Sequence, residues 1–210
     1  MSRLERNWQY AEQYPTETDA QVRARRLSLE LGVEPVSRAI AAQLSGLVAA
    51  TATTAICELG TGVGVSGLAL LRYAPEATLT SIEIEAEHLR QARTVFADAG
   101  IAQSRLRLIE GDAAQVLPRL NLEAYDLTVI DADPERLLDY FETALQIVRP
   151  GGTIVVPNAF AHGRVPDPAA RDTVTRNLRD LLATVGDSTA IAPVLSPAGD
   201  GLLTVTRLNG

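Results

Sequence analysis

Between Ala55 and Gly67 an apolar run gives way to closely spaced glycines: Ala55-Ile56-Cys57-Glu58-Leu59-Gly60-Thr61-Gly62-Val63-Gly64-Val65-Ser66-Gly67, followed by the helix formers Leu68 to Leu71. Glycine alone lets a backbone adopt left-handed angles and come close to a ligand with no side chain in the way. A buried strand turning through such a loop into a helix is therefore the expected local structure, and it is the context in which a glycine motif holds a nucleotide.

The same alternation repeats along the chain. Residues 55–60, 78–83, 105–110, 126–131 and 153–157 are short apolar runs rich in β-branched residues, whereas 66–73, 86–99, 113–119, 134–148 and 168–185 have helical spacing. Strands alternating with helices predict a parallel sheet covered on both faces, an α/β fold. Thr18 to Leu31 and Pro35 to Ala50 read as two further helices ahead of the sheet. Near the end, Thr189 to Leu195 and Leu202 to Thr206 flank Ser196-Pro197-Ala198-Gly199-Asp200-Gly201, the pattern of a β-hairpin, which brings the expected strand count to seven.

Composition narrows the chemistry. All 19 basic residues are arginine, and the chain contains no lysine. Schiff-base chemistry, pyridoxal phosphate chemistry and P-loop nucleotide hydrolysis each need a lysine at the reacting centre. Two histidines and one cysteine fall short of a tetrahedral zinc site of the usual kind, and Cys57 reads as a small buried hydrophobe. A net charge of -7 argues against nucleic acid or an anionic membrane as partner and favours a small molecule. No apolar run is long enough to span a bilayer and the first fourteen residues are too polar for a signal peptide, so a cytoplasmic protein is expected.

In open α/β sheets ligands bind beyond the carboxyl ends of the strands, and acidic residues stand at several of these ends. Glu58 precedes the first glycine. Glu83 closes the second strand, where a carboxylate can take ribose hydroxyls; Gly111-Asp112-Ala113 follows the third, and Asp131 and Asp133 tip the fourth. Each has a plain structural alternative. Gly62-Val63-Gly64-Val65-Ser66-Gly67 also satisfies the dinucleotide G-x-G-x-x-G pattern, Asp112 suits a helix N-cap, and Asp133 before Pro134 suits one better than it suits catalysis.

Taken in order, Glu58-Leu59-Gly60-Thr61-Gly62, Glu83, Gly111-Asp112-Ala113, Val129-Ile130-Asp131-Ala132-Asp133 and Val148-Arg149-Pro150-Gly151-Gly152 resemble class I S-adenosylmethionine-dependent methyltransferases. More narrowly, they are similar to the small bacterial O-methyltransferases related to catechol and caffeoyl-CoA O-methyltransferases. The resemblance implies a Rossmann-like, mostly parallel seven-stranded sheet with a closing antiparallel hairpin. It divides the chain into an N-terminal helical extension, residues 1–50, serving as lid and dimer contact, and a cofactor-binding domain, residues 51–210. It implies that Val33, Glu58, Gly60, Thr61, Gly62 and Ser66 surround the methionine part of the cofactor, that Glu83 holds the ribose, and that Asp112 and Ala113 meet the adenine. Asp131 falls near the sulfonium. A homodimer and a small hydroxylated, aromatic acceptor are the implied partners.

Two departures bear on mechanism. Metal-dependent members resemble one another in a lysine three positions after the strand-four aspartate and in an Asp-Asn pair after strand five; here those positions hold Pro134 and Pro157-Asn158. A hard cation needs several oxygen ligands, so no functional metal site is expected. Methyl transfer needs no protonation of its leaving group, and positioning supplies much of the acceleration. Asp131 and His162, the latter in a loop resembling the family's substrate loop, are the candidate catalytic residues. A cofactor-binding protein of the same fold that has lost transfer activity, with a regulatory role, is the alternative.

Overall fold

The computed structural model describes residues 1–209 and contains seven strands and eight α-helices within them. After α1 (Arg3–Gln13), α2 (Asp19–Glu30) and α3 (Arg38–Thr51), strands and helices alternate: β1 (Ala55–Leu59), α4 (Val65–Leu71), β2 (Thr78–Glu83), α5 (Ala86–Asp98), β3 (Leu106–Glu110), α6 (Ala113–Val116), β4 (Tyr125–Ile130), α7 (Leu137–Ile147) and β5 (Val148–Pro157). The chain closes with α8 (Thr173–Asp187), β6 (Ile191–Ser196) and β7 (Leu202–Arg207). The sheet order is β3-β2-β1-β4-β5-β7-β6, with β7 antiparallel to both β5 and β6 and the other pairings parallel. The expected seven-stranded, mostly parallel sheet with a closing antiparallel hairpin is what forms.

This order puts the topological switch between β1 and β4. The chain runs outward from β1 to β2 and β3, then returns to lay β4 on the other side of β1, so the crossover helices diverge and leave a crevice at the carboxyl ends. Apolar cores fill both faces. On one, Ile40 and Leu44 of α3, Leu70 of α4 and Phe96 of α5 pack on Ile56, Leu79 and Val129; on the other, Phe141 and Ala144 of α7 and Leu178 and Leu181 of α8 pack on Leu59, Ile154 and Leu203. Helices α2 and α3 contribute Ala24, Ile40, Leu44 and Val48 to the first core, so they are built into the same packing as the sheet.

Residues 1–17, within the expected helical extension, contain a well-capped helix, because Ser2 and Glu5 form a reciprocal capping box; the Ser-x-x-Glu spacing was available in the sequence. None of the residues of α1 is buried. Several element boundaries differ from expectation. Arg149-Pro150-Gly151-Gly152 is not a turn ahead of the fifth strand but a bulge inside it, since Tyr125 pairs with Val148 while Leu127 pairs with Thr153. A Cβ on Gly152 would lie 2.9 Å from the Asp126 carbonyl oxygen, which explains the glycine. Helix α8 begins at Thr173 rather than 168, where Asp172 caps it by accepting from the Thr175 N–H. The expected 113–119 helix is α6 continued by a 3-10 turn at Leu117–Arg119, and the 134–148 helix starts with a 3-10 turn at Pro134–Arg136 whose cap is Asp133, as its sequence suggested.

The glycine loop is held from below by one aromatic ring. A Cβ on Gly67 would lie 2.6 Å from Phe96 Cζ, and one on Gly64 3.1 Å from the same atom. Phe96 is fully buried. Phe96→Ala should lower stability by about 3–5 kcal/mol in urea unfolding, since it removes a fully buried ring. Gly67→Ala should cost roughly 1–3 kcal/mol by overpacking. The double variant should cost less than the sum of the two, because the added methyl enters the space the ring vacates.

Candidate functional site

At the switch point the tips of β1, β2 and β4 are fastened together: Gly60 N–H, just past β1, donates to the Ile82 carbonyl of β2, and Asp131 N–H, just past β4, to the Leu59 carbonyl of β1, each at 2.9 Å. Gly60 has φ +89°, and a Cβ there would fall 1.8 Å from the Asp131 carbonyl oxygen, so no other residue fits. The chain then rises through Thr61 and Gly62 into α4, whose first turn is capped only by Gly64 in left-handed geometry.

The cleft above this turn has a volume of about 530 Å³. Val33, Gly60, Thr61, Gly62, Ser66, Glu83, Asp112, Ala113 and Asp131 all line it, so nine of the residues singled out in the sequence share one cavity. Glu58 lies beneath its floor, fully buried, and His162 lies outside it.

Glu83 is fixed by backbone donors. Its Oε2 accepts from Gly62 N–H at 2.7 Å and its Oε1 from Glu85 N–H at 3.0 Å, which leaves lone pairs on both oxygens facing the cleft. Glu58 sits under the loop in a buried chain of hydroxyls: Ser81 donates to Glu58 Oε2 at 2.5 Å, and the Thr61 and Ser81 hydroxyls lie 2.6 Å apart. Its Oε1 has no hydrogen-bond partner. Burial pushes the Glu58 carboxyl up to about 7, partly offset by the hydroxyls around it. Asp131 is pushed up to about 6, by burial first and then by the Glu34 carboxylate.

Asp112 combines both readings of its position. It caps α6 by accepting from Ala114 N–H at 2.9 Å and lines the cleft beside Ala113. The Ala114 N–H, followed by Arg136, holds its carboxyl below the usual range. Arg136 Nη1 reaches Asp112 Oδ2 at 3.0 Å and lies over the same wall as Tyr140. Arg136 and Tyr140, one helical turn apart, were not singled out from the sequence; neither was His88, whose Nδ1 is 3.8 Å from Glu83. The spacing of Arg136 and Tyr140 was a usable signal, whereas nothing in the sequence distinguishes His88 from a surface histidine.

The lip opposite the glycine loop is the segment after α2. Ser28 Oγ donates to the Val33 carbonyl at 2.8 Å, and Arg25 Nη1 donates to the Val36 carbonyl at 2.6 Å. Arg25 in turn is paired with Glu17. These bonds hold Val33 against Gly62 and Glu34 over the cleft.

A second cavity of about 240 Å³ adjoins the first and shares Glu34, Asp131 and Ala132 with it. His162 and Asn158 line it. Asn158, Ala161 and His162 all have left-handed φ, between 50° and 57°, an unusual concentration of strained non-glycine residues. The hairpin turn between β6 and β7 holds them: Asp200 Oδ2 accepts from His162 N–H, and the Asp200 carbonyl accepts from Phe160 N–H at 2.8 Å. Across the mouth, His162 Nε2 is 3.8 Å from Glu34 Oε2. Among the described residues no group of three or more His, Cys, Asp or Glu side chains is placed to hold a metal ion.

The sequence profile of the O-methyltransferase family matches residues 14–208. Over 199 residues the chain is 43% identical to a Mycobacteroides abscessus protein named "Putative O-methyltransferase", a match spanning 94% of this chain and 93% of that one. Among solved structures, a Corynebacterium glutamicum protein superposes with a TM-score of 0.90 at 29% identity, covering 99% of both chains. The O-methyltransferase TomG of Streptomyces achromogenes, involved in tomaymycin synthesis and solved in complex with SAM, superposes with a TM-score of 0.85 at 25% identity over the full length of both chains.

The buried carboxyl under the loop links stability to pH. With a folded-state value near 7 against 4.5 for the free side chain, Glu58 binds its proton more tightly in the folded protein. Stability therefore falls as pH rises from about 4.5 to about 7, and is lower above that window than below it. Glu58→Gln should flatten this dependence, by an amount on the order of 3 kcal/mol between the two ends. Thermal unfolding of both proteins across the window checks it; parallel curves would refute the assignment.

Proposed function

This chain belongs to the O-methyltransferase family, and on that premise we propose that it transfers a methyl group from S-adenosylmethionine to a hydroxyl of a small aromatic acceptor without a metal ion. The observation that carries the reading is the pairing of two cavities through Asp131, the larger built for a nucleoside and the smaller for an acceptor. The larger suits the cofactor on its own terms. The close approach at Gly60 leaves a cradle that a Cβ would fill, Glu83 presents fixed acceptor oxygens to ribose hydroxyls, and the Glu58 carboxyl is buried under the loop with an unpartnered oxygen. Val33, Thr61, Gly62 and Ser66 enclose the methionine part, with Asp112 and Ala113 at the adenine.

When bound, S-adenosylmethionine supplies an electrophilic methyl carbon that passes to the acceptor oxygen as its bond to sulfur breaks, leaving S-adenosylhomocysteine. The protein's part is to hold the acceptor hydroxyl in line and take its proton. Asp131 lines both cavities, and its raised carboxyl suits it to accept that proton near neutral pH. His162 and Asn158 hold the acceptor from the other side of the smaller cavity. A divalent cation does not fit here: Pro157 provides no side-chain oxygen beside Asn158, Pro134 follows Asp131 where metal-dependent relatives carry lysine, and a hard cation prefers six or more oxygens.

The same reading takes the protein to act in the cytoplasm, in keeping with a single buried cysteine that forms no intramolecular disulfide. It also includes a homodimer with residues 1–50 as lid and contact surface. Leu4 and Trp8 of α1 are exposed beside an apolar groove that reaches Pro197, which supports that role.

Calorimetry should show S-adenosylmethionine binding with NAD excluded; no binding at millimolar cofactor, or selective NAD binding, would sink the reading. Turnover of a panel of phenols and catechols should persist in excess chelator, and strict Mg²⁺ dependence would refute the metal-free site. Binding without turnover of any acceptor would instead favour the regulatory alternative that Pro134 and Pro157 raise. The rate should rise with pH through about 6 as Asp131 loses its proton. Asp131→Asn should remove that limb and lower kcat by about a hundredfold, whereas His162→Gln should retain it.

A further inference from the structure

The smaller cavity carries a charge pattern that the transfer reading leaves unused. Its walls are apolar, formed by Ile130, Leu137, Val156 and Leu178, all buried in the core. Its volume is about 240 Å³, and since a protein cavity of roughly 150 Å³ accepts benzene, it has room for an aromatic ring, with substituents extending through the open mouth.

The polar groups around it are unbalanced. Glu34 and Asp131 both line the cavity, no arginine does, and His162 faces Glu34 across the mouth. Arg164, on the adjoining loop, donates to the Ala161 carbonyl at 2.9 Å and lies 4.0 Å from Asp172. Arg136, on the cofactor side, is paired with Asp112. Both guanidinium groups therefore already have partners. The carboxylates sense each other, since Glu34 helps raise Asp131. A bound sulfonium would offset one negative charge and leave the other directed at the acceptor.

Resting on the proposed methyl transfer, we infer that the acceptor is a phenol that is neutral or carries an ammonium group, and that Glu34 selects against acceptors bearing carboxylate or phosphate. Coenzyme A thioesters fall in the rejected class. Their phosphates would need a basic rim, and this mouth offers a carboxylate that is mostly exposed on a segment pinned by Arg25 and Ser28.

The test uses three ring-matched probes: dopamine, dihydroxyphenylacetate and methylcatechol. In the wild-type protein kcat/KM for dopamine should exceed that for dihydroxyphenylacetate by about tenfold, the scale of one unbalanced charge at a partly exposed site. Glu34→Gln should shrink this ratio by about threefold, Glu34→Arg should invert it, and added salt should compress it in the wild type. An acid turned over as well as the amine, or a ratio that Glu34→Arg does not move, would overturn the inference while leaving methyl transfer standing. If no phenol is turned over, calorimetry of the same probes on protein loaded with S-adenosylhomocysteine reads the preference directly. Tighter binding of the amine then supports the charge selection even as the transfer reading fails, and equal binding overturns it.

Discussion

The contact on which the cleft depends is the one between the Gly60 backbone and the Asp131 carbonyl. Two parallel strands diverge at their carboxyl ends wherever the topology reverses, and here a missing Cβ lets them stay fastened one residue further than a side chain would allow. That closeness sets the floor of both cavities. It also aims the Asp131 side chain at their junction, because a strand tip held by its neighbour's carbonyl cannot rotate to send the side chain elsewhere. The Glu58–Ser81–Thr61 hydroxyl chain and the Phe96 ring brace the same loop from beneath, so its geometry is set before any ligand arrives.

Much of this was legible in the sequence because it obeys short-range rules. Glycines at 60, 62 and 64, acids at strand ends, and the order of strands and helices all follow from periodicity and backbone sterics within a few residues. What stayed hidden depends on register between distant segments. The Arg149–Gly152 bulge is visible only once β4 and β5 are paired. The capping box of α1, by contrast, is a local signal carried by its Ser-x-x-Glu spacing. Glu34 carries no motif; it matters because segments far apart in the chain converge on one cleft.

The two cavities differ in how they are stabilised. In the larger cleft Glu83 is held by two backbone N–H donors, and the left-handed positions are glycines. Beside the smaller cavity, Asn158, Ala161 and His162 take the same left-handed angles with side chains present, at a cost of order 1–3 kcal/mol each. Such a loop persists only if something over-determines it, and the closing hairpin does so through Asp200. The antiparallel pair at the sheet edge thus has a role beyond completing the fold: its turn reaches back to the mouth of the smaller cavity.

This arrangement also bears on how such a protein changes chemistry without losing its cofactor cleft. Residues that shape the nucleoside site sit in strands and helix starts whose positions the core dictates, and a substitution there is felt in stability as well as in binding. Position 134 lies beyond the end of β4, 157 is the last residue of β5 and 158 follows it, at the margin where the sheet sets direction but not side-chain identity. Proline at 134 opens a 3-10 turn capped by Asp133, and proline at 157 ends β5 opposite Leu202 of β7, so each is accommodated locally. Neither proline lines the larger cleft, and the fold still brings Asp131, at the tip of β4, and the strained loop carrying His162 together at the smaller cavity.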